Sequence, residues 1–214
     1  KLCDQIDERT VIILAWRGEP TLHPDFIGMP FRTPSKPVIA TNGHLPYKIV
    51  PRHFTAINVS IHDDWSLRGL KTIAQRKIAE GADTELTASR VVGDPSDDLW
   101  LEARKVKGVD IYREYRPHTV KGQWGALEAG KERFNLPSQR NGLCPRLKDT
   151  LVIAWDGAVS RCCYKWDPDS PDKLNANDMA IEEIWKSDEL QEIRDSYPDE
   201  VCSRCDQWRS EKTL

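Results

Sequence analysis

The sequence predicts an α/β fold, a sheet of parallel strands, followed by a small cysteine-bearing module. Three observations predict it. Between residues 11 and about 116, five short apolar runs alternate with polar or helical stretches. The runs are rich in Val, Ile and Leu, as expected of strands buried on both faces. Five of the six cysteines (Cys144, Cys162, Cys163, Cys202 and Cys205) lie between residue 144 and the last residue, with Cys3 alone at the front.

The elements follow in order. An amphipathic stretch with Leu2 and Ile6 leads into the first run, Val11–Ala15, and Cys3 reads as a core residue of that opening helix. The next runs are Val38–Ala40 and Ala56–Ile61. From Trp65 to Glu80, Leu67, Leu70, Ile73, Ala74 and Ile78 recur at helical spacing, and Gly81 ends the helix. A fourth run, Glu85–Val92, precedes a second helix, Asp97–Lys107, carrying Leu99, Leu101, Ala103 and Val106 and stopped by Gly108. The fifth run is Val109–Tyr115. Such alternation argues for β-α-β units and parallel strands. Five strands fall short of the eight of a closed (β/α)8 barrel, which leaves a partial barrel or an open sheet. Thr119 to Gly142 is polar, with Gly122, Gly125, Gly130 and Pro137, and reads as a linker. The module at 143–214 shows a hairpin, LVIAW and AVSRC about the Asp156-Gly157 turn. It then shows one amphipathic helix from Ile181 to Ser196, with Ile184, Trp185, Leu190 and Ile193 on its apolar face.

Composition narrows the function classes. The 214 residues are 39% hydrophobic and 30% charged, an ordinary globular balance. No apolar run approaches the roughly 18–20 residues of a membrane-spanning helix. The chain opens KLCDQIDERT, which is no secretory signal, so a cytoplasmic location is expected. A net charge of -3 with no local Lys/Arg block argues against a nucleic-acid partner.

The chemistry-bearing residues fall into two groups. Ligands of parallel α/β folds sit at the carboxyl ends of the strands. There the chain places Trp16-Arg17-Gly18-Glu19-Pro20, then Thr41-Asn42-Gly43, then Ser60-Ile61-His62-Asp63, then Ser89 and Arg90. Gly18 permits close backbone approach, and Glu19 offers a carboxylate to an ammonium group. Turn chemistry alone accounts for any one of these residues; their recurrence at successive strand ends is the signal. His23 and His62, near the same rim, read as hydrogen-bonded loop residues. In the second group, Cys144 and Cys162, one at each end of the hairpin region, and the later Cys202-Ser203-Arg204-Cys205 can bring four thiolates together. Four thiolates suit Zn2+ or an iron–sulfur cluster. Without a secretory signal, disulfides fit less well. Cys163 follows Cys162 directly, so it points to the other face of a strand and is read as a non-ligand.

Together the two groups resemble the radical SAM enzymes that carry a C-terminal SPASM-type, or shorter twitch-type, iron–sulfur domain. ILAWRGEPTLHPDF, residues 13–26, looks like that family's second strand with its GGEP-type motif. VIATNG at 38–43 and INVSIHD at 57–63 look like its next two strands. The spacing of Cys144, Gly157 and Cys162, and the tail with its Ile-Trp helix and Cys-x-x-Cys, are similar to the SPASM pattern. The resemblance implies a partial (β/α)6 barrel at residues 1–118, lacking its first strand, a linker at 119–142, and an auxiliary-cluster domain at 143–214. It implies that Gly18, Glu19 and Pro20 bind the methionine ammonium of S-adenosylmethionine (SAM), and that Thr41, Asn42, Ser60 and Arg90 lie around the same ligand. It implies that Cys144, Cys162, Cys202 and Cys205 hold one auxiliary [4Fe–4S] cluster. The implied activity is formation of a 5′-deoxyadenosyl radical from SAM and hydrogen abstraction from a peptide, protein or small-molecule substrate, with an external electron donor.

The departures from that family are as specific as the likeness. No Cys-x3-Cys-x2-Cys, the motif for the SAM-cleaving cluster, occurs in the 214 residues. The family's first strand is missing too, and the chain opens at Lys1, which reads as an N-terminal truncation. The chain alone is therefore expected not to cleave SAM. Two rivals are a non-catalytic zinc- or iron–sulfur-binding relative, and a plain α/β nucleotide- or sugar-binding enzyme with a zinc-stapled tail. The absence of G-x-G-x-x-G and P-loop patterns counts against the latter.

Overall fold

A computed structural model describes residues 2–14, 18–92, 96–115, 144–154, 156–160, 162 and 174–195. The chain divides into two compact units, one covering Cys3–Arg116 and the other Pro117–Leu214. The expected linker 119–142 lies outside the described residues.

The first unit contains the five expected strands: β1 Ile13–Leu14, β2 Val38–Thr41, β3 Ala56–Ser60, β4 Glu85–Val91 and β5 Ile111–Tyr115. All neighbours are parallel, and the spatial order is the chain order. Two α-helices connect the later strands, α1 Asp64–Glu80 between β3 and β4 and α2 Asp97–Ala103 between β4 and β5. The earlier connections are short 3-10 turns, Pro20–Leu22, Phe26–Arg32, Pro46–Lys48 and Pro51–His53. Proline opens or interrupts each of them, and proline cannot donate the hydrogen bonds of a longer α-helix.

Only β4 matches the expectation of burial on both faces, with Leu86 to Arg90 all buried. In β3, Ile57 and Val59 are fully buried while Ala56, Asn58 and Ser60 are half-buried. β2 alternates in the same way, and Ile13 of β1 is exposed. The apolar core itself lies on one side of the sheet, and the buried residues of β4 on the other side, Thr87 and Ser89, are polar. Ile39, Ile57, Val59, Leu86 and Ala88 face Leu67, Leu70, Ile73 and Ala74 of α1, with Phe26, Phe54 and Trp100 closing the ends. Short β-branched strands read the same whether one face is covered or two.

Helix α1 starts where its cap dictates. The Asp63 carboxylate accepts the Ser66 N–H at 2.8 Å, and the Ser66 hydroxyl accepts the Asp63 N–H at 3.0 Å. Helix α2 stops at Ala103, short of the expected Lys107, and Arg104 caps it. Cys3 lies in a single 3-10 turn, Cys3–Gln5, with no buried residue. It is half-buried rather than in the core, because that turn presents no continuous apolar face.

The second unit contains α3 Pro145–Asp149, the hairpin strands β6 Val152–Ile153 and β7 Val159–Ser160, α4 Ile181–Lys186 and α5 Asp188–Asp195. The hairpin is antiparallel, as expected. The single helix expected from Ile181 to Ser196 is instead two. Ser187 takes an extended conformation (φ -67°, ψ 148°) and ends α4. Its hydroxyl donates to the Ile184 carbonyl at 2.9 Å and accepts the Leu190 N–H at 3.1 Å, so one serine closes one helix and opens the next. Val159, Leu174, Ala176, Ile184 and Leu190 form the small core. No described helix is long and apolar enough to cross a membrane.

Candidate functional site

In the first unit, the chain leaving β1 and the chain leaving β2 are tied together by one carboxylate. Glu19 is half-buried and caps the Pro20–Leu22 turn. Its Oε1 accepts from the Thr21 N–H at 3.1 Å, the Thr21 hydroxyl at 2.6 Å and the Thr41 hydroxyl at 2.7 Å. Its Oε2 accepts the Asn42 N–H at 2.6 Å. Thr21 is fully buried and Thr41 nearly so. The Thr41 hydroxyl in turn accepts the Gly43 N–H, and the Asn42 side chain accepts the His44 N–H. Gly18 (φ 85°) makes the turn that delivers Glu19, and Pro20 opens the helical turn behind it.

Sequence reasoning paired Glu19 with Thr41 and Asn42 as members of one rim. The structure brings these three into direct contact. It adds Thr21, which sequence reasoning missed. The only signal for it was an N-cap residue followed two positions on by a hydroxyl, which is too common to be read alone. The lone-pair count bears on a ligand. A carboxylate has about four acceptor positions. Three donors crowd Oε1 and one reaches Oε2, so an incoming ammonium finds its open position on Oε2.

The loop after β2 is held against α1 by two glycines. A Cβ at Gly69 would lie 1.9 Å from the Gly43 carbonyl oxygen. Gly43 has φ 74°, and a Cβ there would meet Val59 at 3.0 Å. Neither position accommodates a side chain without moving the loop that carries Thr41 and Asn42.

Ser60 and Arg90 sit on opposite faces of the sheet. Ser60 pairs in register with Ser89, so Arg90, one residue further, points the other way. Arg90 is 8% exposed, lies over the Trp100 ring, and is held by two carboxylates. Its Nε donates to Glu114 at 2.7 Å and its Nη1 to Asp97 at 2.7 Å, while its Nη2 also contacts Glu114. These bonds use three of the five N–H donors of Arg90, leaving one on Nη1 and one on Nη2.

A further pair stands at the same end of the sheet. The His44 ring lies 3.2 Å from Asp63. Burial pushes the Asp63 carboxyl up, but the Ser66 N–H and hydroxyl and the His44 ring outweigh it, so it sits below its ordinary 3.8. His23 is a loop residue whose Nδ1 accepts the Asp25 N–H at 3.1 Å. Trp16 and Arg17 lie outside the described residues.

In the second unit, Cys144 precedes the first turn of α3 and Cys162 follows β7. Both are half-buried thiols, not half-cystines. The Cys162 carbonyl accepts the Ser160 hydroxyl at 3.1 Å. Cys163, Cys202 and Cys205 lie outside the described residues. Among the described residues, no three His, Cys, Asp or Glu side chains converge as a metal set. Between the two thiols the chain turns at Gly157 (φ 85°). A Cβ there would lie 2.2 Å from the Asn177 amide and 2.4 Å from that of Asn175. Both amides reach the Asp156 carbonyl, Asn177 at 2.7 Å and Asn175 at 3.4 Å. The turn that spaces the cysteines is thus locked by the segment before α4.

Residues 144–206 match the family model of SPASM, an iron–sulfur cluster-binding domain. That domain is found in radical SAM enzymes. The match begins at Cys144 and includes Gly157, Cys162, Cys202 and Cys205. No curated protein and no solved structure matches the chain. The second unit therefore carries an iron–sulfur-binding domain, and the first a five-stranded parallel sheet flanked by helices.

Proposed function

We propose that this chain carries the SAM-binding sheet and the auxiliary-cluster domain of a radical SAM/SPASM-type enzyme that modifies a peptide, a protein or a small molecule. The observation that carries the reading is the SPASM match at 144–206, beside a parallel sheet with Glu19, Thr41 and Asn42 joined at its carboxyl end. In this reading the sheet belongs to a partial (β/α)6 barrel.

The residues fit the groups they would hold. Cys144 and Cys162 are thiols, and four soft sulfur donors, with Cys202 and Cys205, suit a [4Fe–4S] cluster. Glu19 keeps one acceptor position on Oε2 toward an ammonium, while the bonds to Thr21, Thr41 and Asn42 fix its direction. Gly18 and Pro20 shape that loop, and Ser60 stands two strands away as a hydroxyl donor. Arg90 would join the ligand through the N–H groups that Asp97 and Glu114 leave free. When bound, SAM and a reducing cluster would supply radical hydrogen abstraction; the protein's share is binding, orientation and exclusion of water.

The test is anaerobic reconstitution of the chain with iron and sulfide. The expected result is a brown protein with about four irons and four sulfides per chain. These should be lost when Cys144, Cys162, Cys202 or Cys205 is changed to Ala. A colourless chain holding a single zinc would favour the non-catalytic metal-binding reading instead. SAM binding is checked separately by equilibrium dialysis, where Glu19→Gln should weaken it.

A further inference from the structure

The second unit holds a cation whose charge no described residue balances. Arg194 lies near the end of α5, and its side chain reaches back to α3. Its Nε donates to the Leu147 carbonyl at 3.2 Å. Its guanidinium carbon lies 4.3 Å from the centre of the Trp185 ring, contributed by α4. Its Nη2 is buried and has no hydrogen-bond acceptor. Asp97 and Glu114 hold Arg90, but no carboxylate pairs with Arg194 among the described residues.

The position relates this arginine to the cysteines. Helix α3 begins directly after Cys144, and the Cys144 carbonyl accepts the Leu147 N–H at 2.8 Å. The carbonyl that holds Arg194 therefore belongs to the turn that Cys144 starts. Beyond Arg194 the chain runs on to Cys202 and Cys205. One guanidinium thus ties the stretch opened by Cys144 to the stretch leading to the closing pair.

A buried donor without an acceptor costs free energy, and a charged one costs more. Folded proteins rarely keep such a group. A water molecule would satisfy the N–H but not the charge. The fitting partner both accepts hydrogen bonds and is negative. A cluster held by four thiolates is a net anion whose sulfurs accept N–H bonds. Arginine suits that partner, because it stays charged and is more weakly hydrated than an ammonium. The Trp185 ring covers one face of the guanidinium and fixes the direction of its N–H groups.

We propose that Arg194 belongs to the cluster site, its Nη2 donating to a cluster sulfur and its charge raising the cluster's reduction potential. The inference rests on the iron–sulfur reading above and deepens it. It adds to the four cysteines a residue that their spacing does not mark.

The test is a reductive titration of the reconstituted 214-residue chain with dithionite, followed by electron paramagnetic resonance of the reduced cluster. Reduction adds negative charge, so a nearby cation and an N–H donor favour the reduced form. Arg194→Met keeps an apolar stem over Trp185 and removes both. It should still load about four irons per chain. Its one-electron reduction equilibrium should fall by about tenfold or more, a potential lower by about 59 mV or more. The sign separates this from a structural role. A loosened domain admits water, which stabilises the more highly charged reduced form and raises the potential. A raised potential, or a fall of less than about tenfold, overturns the proposal. Should Arg194→Met fail to load iron, Arg194→Lys carries the test. It keeps the charge but not the planar fork, and a fall of about threefold or more is expected. Loss of iron in both variants assigns Arg194 to holding the domain together and overturns the proposal as well. A parent chain that takes up no iron refutes the function proposed above. A parent that loads iron, with a potential indifferent to Arg194, refutes this inference alone.

Discussion

Replacing Glu19 by Gln isolates the joint between the ends of β1 and β2. The substitution is nearly isosteric, so packing changes little. It turns one acceptor oxygen into an NH2 donor. If the amide oxygen stays with Thr21 and Thr41, the new NH2 faces the Asn42 N–H, now held at 2.6 Å by a carboxylate oxygen. If the amide flips, the NH2 faces two hydroxyls and the Thr21 N–H. The hydroxyls can rotate to accept, but the N–H cannot. Either way one charge-assisted bond to a backbone N–H is lost and a donor is set against a donor. Hydrogen bonds to charged groups contribute about 1.5–3 kcal/mol, and the partly exposed position argues for the lower half of that range. The expected loss of stability is therefore about 1.5–2 kcal/mol. Urea denaturation followed by tryptophan fluorescence measures it, and the slope of the transition should not change. An unfolding free energy within about 0.3 kcal/mol of the parent would refute the joint. Weakened SAM binding in the same variant would then have to arise from the lost charge alone.

Three further outcomes follow from the geometry. Gly69→Ala should destabilise the chain by about 1–3 kcal/mol, because its Cβ would lie 1.9 Å from the Gly43 carbonyl; helix propensity alone predicts a gain of about 1 kcal/mol, so the sign of the change in urea midpoint decides. Gly157→Ala should lower iron incorporation on reconstitution and destabilise the second unit, since the added Cβ would meet both asparagine amides; iron content equal to the parent's would contradict this. Asp63 caps α1, and Asp63→Ala should cost about 1 kcal/mol. The folded pKa of Asp63 is lowered, so its contribution is fully present above its unfolded value of 3.8 and is lost as pH falls through the lower folded one. The parent and the Asp63→Ala chain should therefore converge in stability on acid titration, and a gap that persists below that range would exclude the cap as its source.

The local physics of this protein was legible in its sequence. Periodicity located all five strands and α1, because a helix with one apolar face and a β-branched run can bury themselves in few ways. Glycine with a two-residue turn marked the hairpin at Asp156-Gly157. The cysteine spacing marked the iron–sulfur module, since metal ligation constrains chemistry and separation along the chain together. Strand ends gathered Glu19, Thr41 and Asn42 into one group before any coordinates, because parallel strands all finish on the same side. Tertiary structure decided what residue type and spacing leave free. It turned Arg90 to the face opposite Ser60 and gave it to Glu114 and Asp97, since adjacent strand residues alternate and a one-residue offset reverses the face. Ser187 broke an apparently continuous amphipathic helix, because a serine hydroxyl serves equally as interior residue and as cap. The core settled on one face of the sheet and left Asn58, Thr87, Ser89 and Arg113 on the other, a division that depends on which elements cover which face. Propensity and pattern act within about a dozen residues; pairing, facing and partner choice are set by contacts between segments far apart in the chain.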